Sequence, residues 1–302
     1  MRGMRVANAP CSWGVLEFES TALAPKPSQV LDEIASTGYV GTELGDWGFL
    51  GTDAASVRAE VERRNLALVG AFVAVALSDP RAHDAGEAIA LKTARLLAGA
   101  SAAQPPLVLS DATAAVPART AKAGRITAAE ALDADGWAAL AAGAERIASA
   151  VRRATGLPTV FHHHCATYVE TPDEIDTLMR RTSPEVLGLC VDTGHATYGG
   201  GDPLAILSRH ADRVWHVHFK DCSPVIAARA RSEGWDYLTA IRHGVFCELG
   251  AGQVDFAAVL EHLRRTGYNG WIVVEQDVLP EADGTAAADQ RANRAYLAAR
   301  GF

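Results

Sequence analysis

The sequence predicts an α/β protein built as a single (β/α)8 TIM barrel that spans residues 1–302. Two observations indicate this fold class. Short β-branched, apolar runs alternate with longer Ala- and Leu-rich segments of helical period, and the alternation counts out as eight β–α units. A repeating β–α order implies a parallel sheet, and eight units allow that sheet to close into a barrel, a fold that takes about 250 residues.

Each predicted strand is a short run bounded by turn residues. The eight strands are predicted at 4–9, 39–44, 66–73, 106–111, 158–164, 186–192, 213–221 and 270–277. The helices have apolar residues at helical spacing. They are predicted at 27–37, 54–64, 82–99, 129–153, 171–181, 202–209, 254–266 and 285–299. Thr171 and Glu174 form a capping box at the start of one helix, and Gly38 and Gly267 are typical helix ends.

A doubly wound open sheet is the alternative to a barrel. Its dinucleotide-binding fingerprint needs three spaced glycines at the opening of the first helix. The only similar stretch, "LGAGQVDF" at 249–256, lacks the third glycine and lies late in the chain. The pattern therefore favours the barrel.

Three connections are longer than the usual 2–6 or so residues. They cover 10–26, 112–128 and 222–253, and each follows a predicted strand. All three therefore emerge at the C-terminal face of the barrel, where barrel enzymes carry their active sites, and are candidate lids. For 112–128, a disordered surface loop is an equally good interpretation.

Composition limits the kinds of partner. The chain is 49% hydrophobic and 21% charged, as globular enzymes are, and its net charge of -8 argues against nucleic acid. No apolar run is long enough for a membrane span or a signal peptide. Five scattered cysteines without a C-x-x-C pair fit a reducing cytoplasm. We expect a cytoplasmic protein with a small-molecule substrate; its oligomeric state is left open, a homo-oligomer included.

Strand alternation selects a set of inward-facing polar residues near the C-terminal ends of three predicted strands. In "VWHVHFKD" the outward face is apolar, so the inward face carries His216, His218 and Lys220. The same parity turns Asp192 of "GLCVDTGH" and Glu275 of "WIVVEQD" inward. Three strands thus bring imidazoles and carboxylates to one end of the barrel.

The run "PTVFHHHCATY" adds three consecutive histidines on the predicted fifth strand. His162 and His164 share one face, and His163 takes the other. Each polar residue also has a structural interpretation, as a hydrogen-bonded core histidine, a capped strand end or an ion pair. Convergence at four strand ends favours a metal site, because two unpaired buried carboxylates cost several kcal/mol. A mixed nitrogen and oxygen shell suits Mn, Co, Fe or Zn better than Ca.

Several motifs together resemble a known family. These are "NAPCSWGV", "GTELGDWG", "HHHCATY", "VDTGHATYGGGDP", "HVHFKD" and "WIVVEQD". They are similar to the xylose-isomerase-like TIM barrel superfamily and, within it, to the inosose (2-keto-myo-inositol) dehydratases. The likeness covers nearly the whole chain and is weakest across 100–135.

The resemblance implies a divalent metal, with Mn or Co favoured over Fe, Zn or Mg. Its ligands would be Asp192, His218, Glu275 and a residue on the fifth strand. Many sugar isomerases and epimerases of the superfamily have a glutamate at that fifth-strand position. Here it is His162, with His164 the weaker claimant, which makes His163 a structural residue.

The implied activity is a metal-dependent dehydratase acting on a cyclic polyhydroxy ketone such as 2-keto-myo-inositol. An epimerase needs a base on each face of the carbon that changes configuration, whereas an elimination needs one base and one acid. An imidazole in place of the second carboxylate therefore favours a lyase, although Glu43 or Lys220 is able to restore a second base. The alternatives are a ketose 3-epimerase or sugar isomerase of this fold, and a non-catalytic, metal-stabilised sugar-binding subunit.

The remaining roles are hypotheses. The base is Glu275 or Lys220, and the acid is His195 or His164. Glu43 either binds substrate hydroxyls or orients His162. Further substrate-contacting candidates are His216 and three residues at the end of the first strand, for which packing is an equal alternative: Asn8, Ser12 and Trp13.

Overall fold

The computed structural model describes residues 3–16, 25–279 and 286–302. Eight parallel strands close into a barrel, which confirms the predicted fold. In chain order the strands are β1 Arg5–Asn8, β2 Gly41–Glu43, β3 Ala67–Val75, β4 Leu107–Asp111, β5 Thr159–His162, β6 Leu187–Asp192, β7 Val214–Phe219, β8 Asp221–Cys222, β9 Phe246–Cys247 and β10 Trp271–Val274. Of these, β8 and β9 form a separate antiparallel pair, and β10 closes the barrel between β7 and β1.

Each of the eight predicted helices is present in the described residues, together with four that the sequence did not predict. The helices are α1 Pro27–Ser36, α2 Ala54–Glu62, α3 His83–Ala100, α4 Pro117–Ala121, α5 Ala134–Thr155, α6 Pro172–Arg181, α7 Thr193–Tyr198, α8 Pro203–Arg209, α9 Pro224–Glu233, α10 Tyr237–Arg242, α11 Phe256–Arg265 and α12 Ala286–Ala298. The predicted capping box at Thr171 and Glu174 opens α6. None of the described helices has both the length and the apolarity to cross a membrane. All five cysteines lie in described segments as free thiols.

The barrel interior changes character along its axis. Small apolar side chains fill the lower layers, in two sets: Ala7, Val69 and Val273, then Val108, Val160 and Cys190. One pleat further along, the inward positions at the ends of four strands are polar: Ser110, His162, Asp192 and Glu275. Outward positions such as Val217 and Phe219 join the large core under the helices. The outer face of the sheet is therefore buried under the helices, and the polar residues lie inside the barrel at its C-terminal end.

The long connections after β4 and β7 are folded. Residues 112–128 contain α4, whose Arg119 is fully buried and donates to both carboxylate oxygens of Glu174 at 2.7 and 2.8 Å. Arg119 also donates to the carbonyl of Thr167 at 2.6 Å. The disordered-loop interpretation of this segment is therefore wrong. In the connection after β1, residues 10–13 form a 3-10 turn, and the predicted lid residues 17–24 lie outside the described residues.

The connection at 222–253 contains α9 and α10 and is closed by the β8–β9 pair. The buried carboxylate of Asp221 accepts hydrogen bonds from the backbone N–H groups of Gly250, Gly252 and Val254 at 2.8 to 3.1 Å. One carboxylate thus ties both ends of the excursion together. The excursion covers the mouth of the barrel on the β6–β7 side.

A second buried carboxylate, Glu170, joins the loops after β4 and β5. It is 1% exposed and accepts hydrogen bonds from the N–H groups of Gly124 at 2.7 Å and Ala166 at 2.8 Å. Burial raises the pKa of Glu170 from 4.5 to about 7, although both hydrogen bonds work in the opposite direction. The folded protein therefore holds a proton here that the unfolded chain has already released.

This raised pKa predicts that stability contributed by Glu170 is fully present below pH 4.5 and is lost as the pH rises through about 7. We expect Glu170→Gln to remove that dependence. The free energy of unfolding of the wild type relative to the variant should fall by about 3 kcal/mol between pH 4.5 and 8. Urea denaturation across this pH range measures the difference, with the exposed Glu62→Gln as control. A constant difference would contradict the assignment.

Candidate functional site

The C-terminal ends of four barrel strands carry a compact set of buried side chains, the metal-centre set: His162, Asp192, His218 and Glu275. One ligand atom from each lies within 4.8 Å of the others. His218 Nδ1 is 3.2 Å from Glu275 Oε2, and His162 Nε2 is 3.6 Å from Asp192 Oδ2. Asp192 and His218 are Cα partners on adjacent strands. The structure thus brings together all four residues selected as ligands from the sequence; metal binding by them stays a prediction.

The polar atoms of this set lack partners. Among the described residues, both ring nitrogens of His162, Oδ2 of Asp192 and Nδ1 of His218 are buried without a hydrogen bond. Each such atom costs about 1–3 kcal/mol. His162 Nε2, Asp192 Oδ2 and His218 Nδ1 lie together beside Glu275, and a cation among them would satisfy all three. Two imidazole nitrogens and two carboxylates suit a transition metal such as Mn, Co, Fe or Zn.

Local structure explains why Asp192 presents a free oxygen. Its Oδ1 accepts a hydrogen bond from the N–H of His195 at 2.7 Å and caps α7. The backbone N–H of Asp192 donates to Nε2 of His163 at 3.2 Å. Oδ2 is therefore the oxygen left for the centre. The sequence left two interpretations of Asp192 open, a capped strand end and a metal ligand. They are compatible because each uses a different carboxylate oxygen.

The fifth-strand position belongs to His162 in this geometry. Burial lowers the pKa of His162 well below its usual value, so the ring is neutral and has a lone pair to offer. His164 lies further along and its Nδ1 is 2.6 Å from the carbonyl oxygen of Cys165. The ring of His164 packs instead against that of His195, with centroids 3.8 Å apart.

Glu43 contacts two histidines of β7 beside the metal-centre set. Its Oε1 lies 3.1 Å from Nε2 of His218 and 2.8 Å from Nε2 of His216. Because Nε2 of His218 faces Glu43, its Nδ1 faces the metal-centre set. Burial alone would raise the pKa of Glu43, but the two imidazoles lower it to about 2. The hypothesis that Glu43 orients His162 is therefore wrong; it orients His218. His216 contacts Glu43 and lies away from the cavity wall, so its predicted contact with substrate is not supported.

A second polar cluster lies beside the metal-centre set, around Lys220. The Lys220 Nζ is 2.6 Å from Asp277 Oδ1, 3.0 Å from His195 Nε2 and 3.3 Å from Glu275 Oε2. Tyr237, from α10, donates its hydroxyl to Asp277 Oδ2 at 3.0 Å. Sequence reasoning missed both Asp277 and Tyr237. Continuing the strand parity from Glu275 by two residues identifies Asp277. Tyr237 lies in the long connection at 222–253, where the sequence has no periodic signal.

Electrostatics distinguish the members of this cluster. Burial lowers the pKa of Lys220, but Asp277, Asp192 and Glu275 together raise it well above its usual value. Burial also lowers the pKa of His164 to about 3 and that of His195 well below its usual value. Lys220 is therefore a charged donor and both histidines are neutral. Of the two bases considered, these pKa directions favour Glu275 over Lys220, and they disfavour His195 and His164 as the acid.

A cavity opens above both clusters. Its volume is about 50 Å³. Both polar and apolar groups line it. The polar residues are Cys11, Glu43, Asp46, His162, His164, His218, Lys220, Glu275 and Asp277, and the apolar residues include Pro10, Val15, Leu16 and Phe72. Such a mixture fits a small ring with many hydroxyl groups.

Three candidates for substrate contact are packing residues instead. Asn8, Ser12 and Trp13 are buried and do not line the cavity. Their hydrogen-bond partners are the side chain of Gln290 at 2.8 Å for Asn8, the N–H of Gln276 at 3.1 Å for Ser12 and the side chain of Glu33 at 2.6 Å for Trp13. The structure therefore supports the alternative considered for these residues, which is a role in packing.

These contacts belong to a buried amide network. Gln290 and Asn293, on α12, both donate to the side-chain oxygen of Gln276 at 3.3 Å. Gln276 stands between Glu275 and Asp277, and each of these carboxylates belongs to one of the two clusters. The network therefore fixes the backbone that carries both.

Comparison with known proteins agrees with the barrel fold. The model of the xylose isomerase-like TIM barrel family matches residues 31–296, and the chain belongs to that family. Within it, the chain is 34% identical over 291 residues to the inosose dehydratase of Geobacillus kaustophilus, covering 91% of this chain and 88% of the relative.

Two solved structures share the fold at 15% identity. The probable 3-DHS dehydratase AsbF of Bacillus anthracis has a TM-score of 0.69, with 98% of this chain and 99% of that chain covered. The D-allulose 3-epimerase of Methylomonas sp. has a TM-score of 0.70, with 100% and 98% covered. At this identity the likeness concerns the barrel alone.

The unpartnered atoms of the metal-centre set predict stabilisation by a divalent cation. Mn²⁺ at about a hundred times its dissociation constant should add about 2.7 kcal/mol to the free energy of unfolding. We expect a clear rise in the thermal unfolding midpoint of the wild type. Asp192→Asn should lose most of this rise, because it removes the charge of one ligand.

Asp46→Asn is the matched control. It removes a carboxylate from the same cavity but outside the metal-centre set, so the rise should persist. Differential scanning fluorimetry with and without Mn²⁺ makes the comparison. Equal shifts in the wild type and Asp192→Asn would count against the centre.

Proposed function

We propose that this protein is a metal-dependent dehydratase, a carbon–oxygen lyase that removes water from a cyclic polyhydroxy ketone such as 2-keto-myo-inositol. One observation carries the proposal: one ligand atom from each of His162, Asp192, His218 and Glu275 lies within 4.8 Å of the others beside a cavity, and the buried atoms of the first three include ones without a hydrogen-bond partner. The similarity to an inosose dehydratase over most of both chains supports the substrate class.

The metal-centre set would hold one divalent ion, for which Mn and Co are the preferred candidates. When bound, such an ion polarises a carbonyl and stabilises the negative charge that develops on its oxygen as the neighbouring carbon loses a proton. Glu43 keeps Nδ1 of His218 facing this position through its contact with Nε2. A neutral His162 completes the nitrogen donors.

Glu275 is the proposed base. It lies at the cavity floor, 8% exposed, beyond the end of β10. Burial would raise the pKa of Glu275, but His218 and Lys220 lower it well below its usual value, so the carboxylate is ionised. It would take the proton from the carbon beside the ketone.

Lys220 is the proposed acid. Its ammonium is held by Asp277 and His195 at 2.6 and 3.0 Å and lies 3.3 Å from Glu275 Oε2. It would donate a proton to the departing hydroxyl, which leaves as water while the double bond forms. The apolar wall of the cavity, including Leu16 and Phe72, limits the access of bulk water to these groups.

This arrangement favours elimination over epimerisation because its two proton-handling groups differ. Glu275 is an ionised acceptor, whereas Lys220 is a charged donor a few ångströms away. An epimerase acting by proton removal and return needs two acceptors on opposite faces. The fifth-strand position that would carry a second carboxylate carries His162.

Incubation of the Mn²⁺-loaded protein with 2-keto-myo-inositol tests the proposal. Loss of one water creates an α,β-unsaturated hydroxyketone, the enol form of a 1,2-dione, so we expect the ultraviolet absorbance to increase with time, and to stop when the metal is chelated. Chromatography of the same mixture follows stereochemistry. An epimerised product without a chromophore would indicate an epimerase, and unchanged substrate a binding subunit; either result would contradict the proposal.

The assigned roles predict different partial reactions for two variants. Glu275→Gln should lose both elimination and exchange of the substrate's carbon-bound proton with D2O. Lys220→Met should lower kcat for elimination by about 10²–10⁴ and still permit exchange.

The exchange is followed by NMR in D2O, and Lys92→Met, on the outer helix α3, serves as a control that should leave both reactions unchanged. Loss of exchange in Lys220→Met with its retention in Glu275→Gln would reverse the two roles.

A further inference from the structure

The cluster around Lys220 contains a second set of metal-type donors. His164, His195 and Asp277 are buried, and one ligand atom from each lies within 4.8 Å of the other two. This second donor set borders the first one, because Lys220 Nζ is in contact with Asp277 on one side and with Glu275 on the other. The barrel mouth therefore has donors for two cations side by side.

The two sets differ in how their atoms are satisfied. In the metal-centre set, buried nitrogens and an oxygen have no hydrogen-bond partner. In the described part of the chain, no such unpartnered atom belongs to the second set. Asp277 receives hydrogen bonds from Lys220 and Tyr237, and Lys220 Nζ lies 3.0 Å from His195 Nε2. A cation is thus already in place at the second set, and it is the Lys220 ammonium.

We propose that the Lys220 ammonium occupies the second cation position of a centre with two positions, so that the protein binds one divalent ion. When the charge of Lys220 is removed, His164, His195 and Asp277 bind a second divalent ion with nitrogen and oxygen preferences. This inference rests on the proposed metal centre and extends it to the neighbouring donor set.

The balance of charge supports a single ion. Four buried carboxylates face the two donor sets, from Glu43, Asp192, Glu275 and Asp277. One divalent ion and the ammonium of Lys220 offset three of these four charges. A second divalent ion beside Lys220 would make the net charge of the two donor sets positive, whereas two divalent ions without Lys220 would make it zero. A second divalent ion at His164, His195 and Asp277 would lie against the ammonium, and this repulsion opposes its binding while Lys220 is charged.

Packing fixes the ammonium in this position. The stem of Lys220 runs against Gly194, where an added Cβ would lie 2.5 Å from Lys220 Cγ. The residue is 1% exposed, and its ammonium is in contact with Asp277, His195 and Glu275. Truncation at this residue would leave a space lined by an imidazole and an uncompensated carboxylate. Uncompensated buried charge costs several kcal/mol, and a cation relieves it.

The test counts Mn²⁺ ions in the full-length protein after loading and gel filtration, by plasma mass spectrometry. We expect one ion per chain in the wild type and two in Lys220→Ala. Lys220→Arg, which keeps a cation, should bind one. The double variant Lys220→Ala/Asp277→Asn should return to one, because it removes the carboxylate of the second set.

Electron paramagnetic resonance provides an independent measurement. A single Mn²⁺ in the wild type gives an isolated six-line spectrum, whereas two ions a few ångströms apart in Lys220→Ala should give a coupled, broadened one. Lys220→Ser repeats the test should Lys220→Ala fail to fold, as judged by circular dichroism.

Two ions in the wild type, or one ion in the folded Lys220→Ala and Lys220→Ser variants, would overturn the inference and leave the metal centre standing. No ion in the wild type would overturn the centre itself and this inference with it. The two failures are therefore distinct.

Discussion

Compensation of buried charge at the mouth of the barrel is the constraint on which the rest of the structure depends. Asp192, Glu275 and Asp277 converge there with four imidazoles and one lysine, nearly all out of contact with water. Carboxylates in such a place are tolerated only when cations or donors face them. Lys220 Nζ lies 2.6 to 3.7 Å from an oxygen of each of the three, and the unpartnered atoms beside it mark where more positive charge is required.

The surroundings of the centre are arranged to hold donors rather than to contact substrate. Glu43 contacts two imidazoles, His163 receives the backbone N–H of Asp192, and Tyr237 reaches Asp277 from a helix outside the barrel. These contacts fix ring orientation and carboxylate rotamers before any ligand arrives. Preorganisation of this kind lowers the reorganisation that a charged transition state would otherwise require.

The sequence predicted the barrel and the polar inward face of four strand ends because both follow from alternation: apolar residues outward, polar residues inward, and parallel strand ends at one face. Parity left His162 and His164 on the same face, and the choice of His162 came from the family resemblance. The sequence was a poorer guide to residues whose roles depend on side-chain hydrogen bonds. Asn8, Ser12 and Trp13 are near the right place, but their side chains bond to Gln290, Gln276 and Glu33, residues far away in the chain. The protonation of Lys220 depends on three carboxylates from different strands, and strand parity carries no such information.

The amide network at Gln276 has a consequence for how the molecule matures. Asn8 and Gln290 are separated by 282 positions in the chain, so their contact closes the largest loops in the fold. Until α12 docks, Gln276 lacks its hydrogen bonds from Gln290 and Asn293. Glu275 follows directly after β10, so a chain in which only the first seven strands of the barrel have assembled cannot complete the metal-centre set.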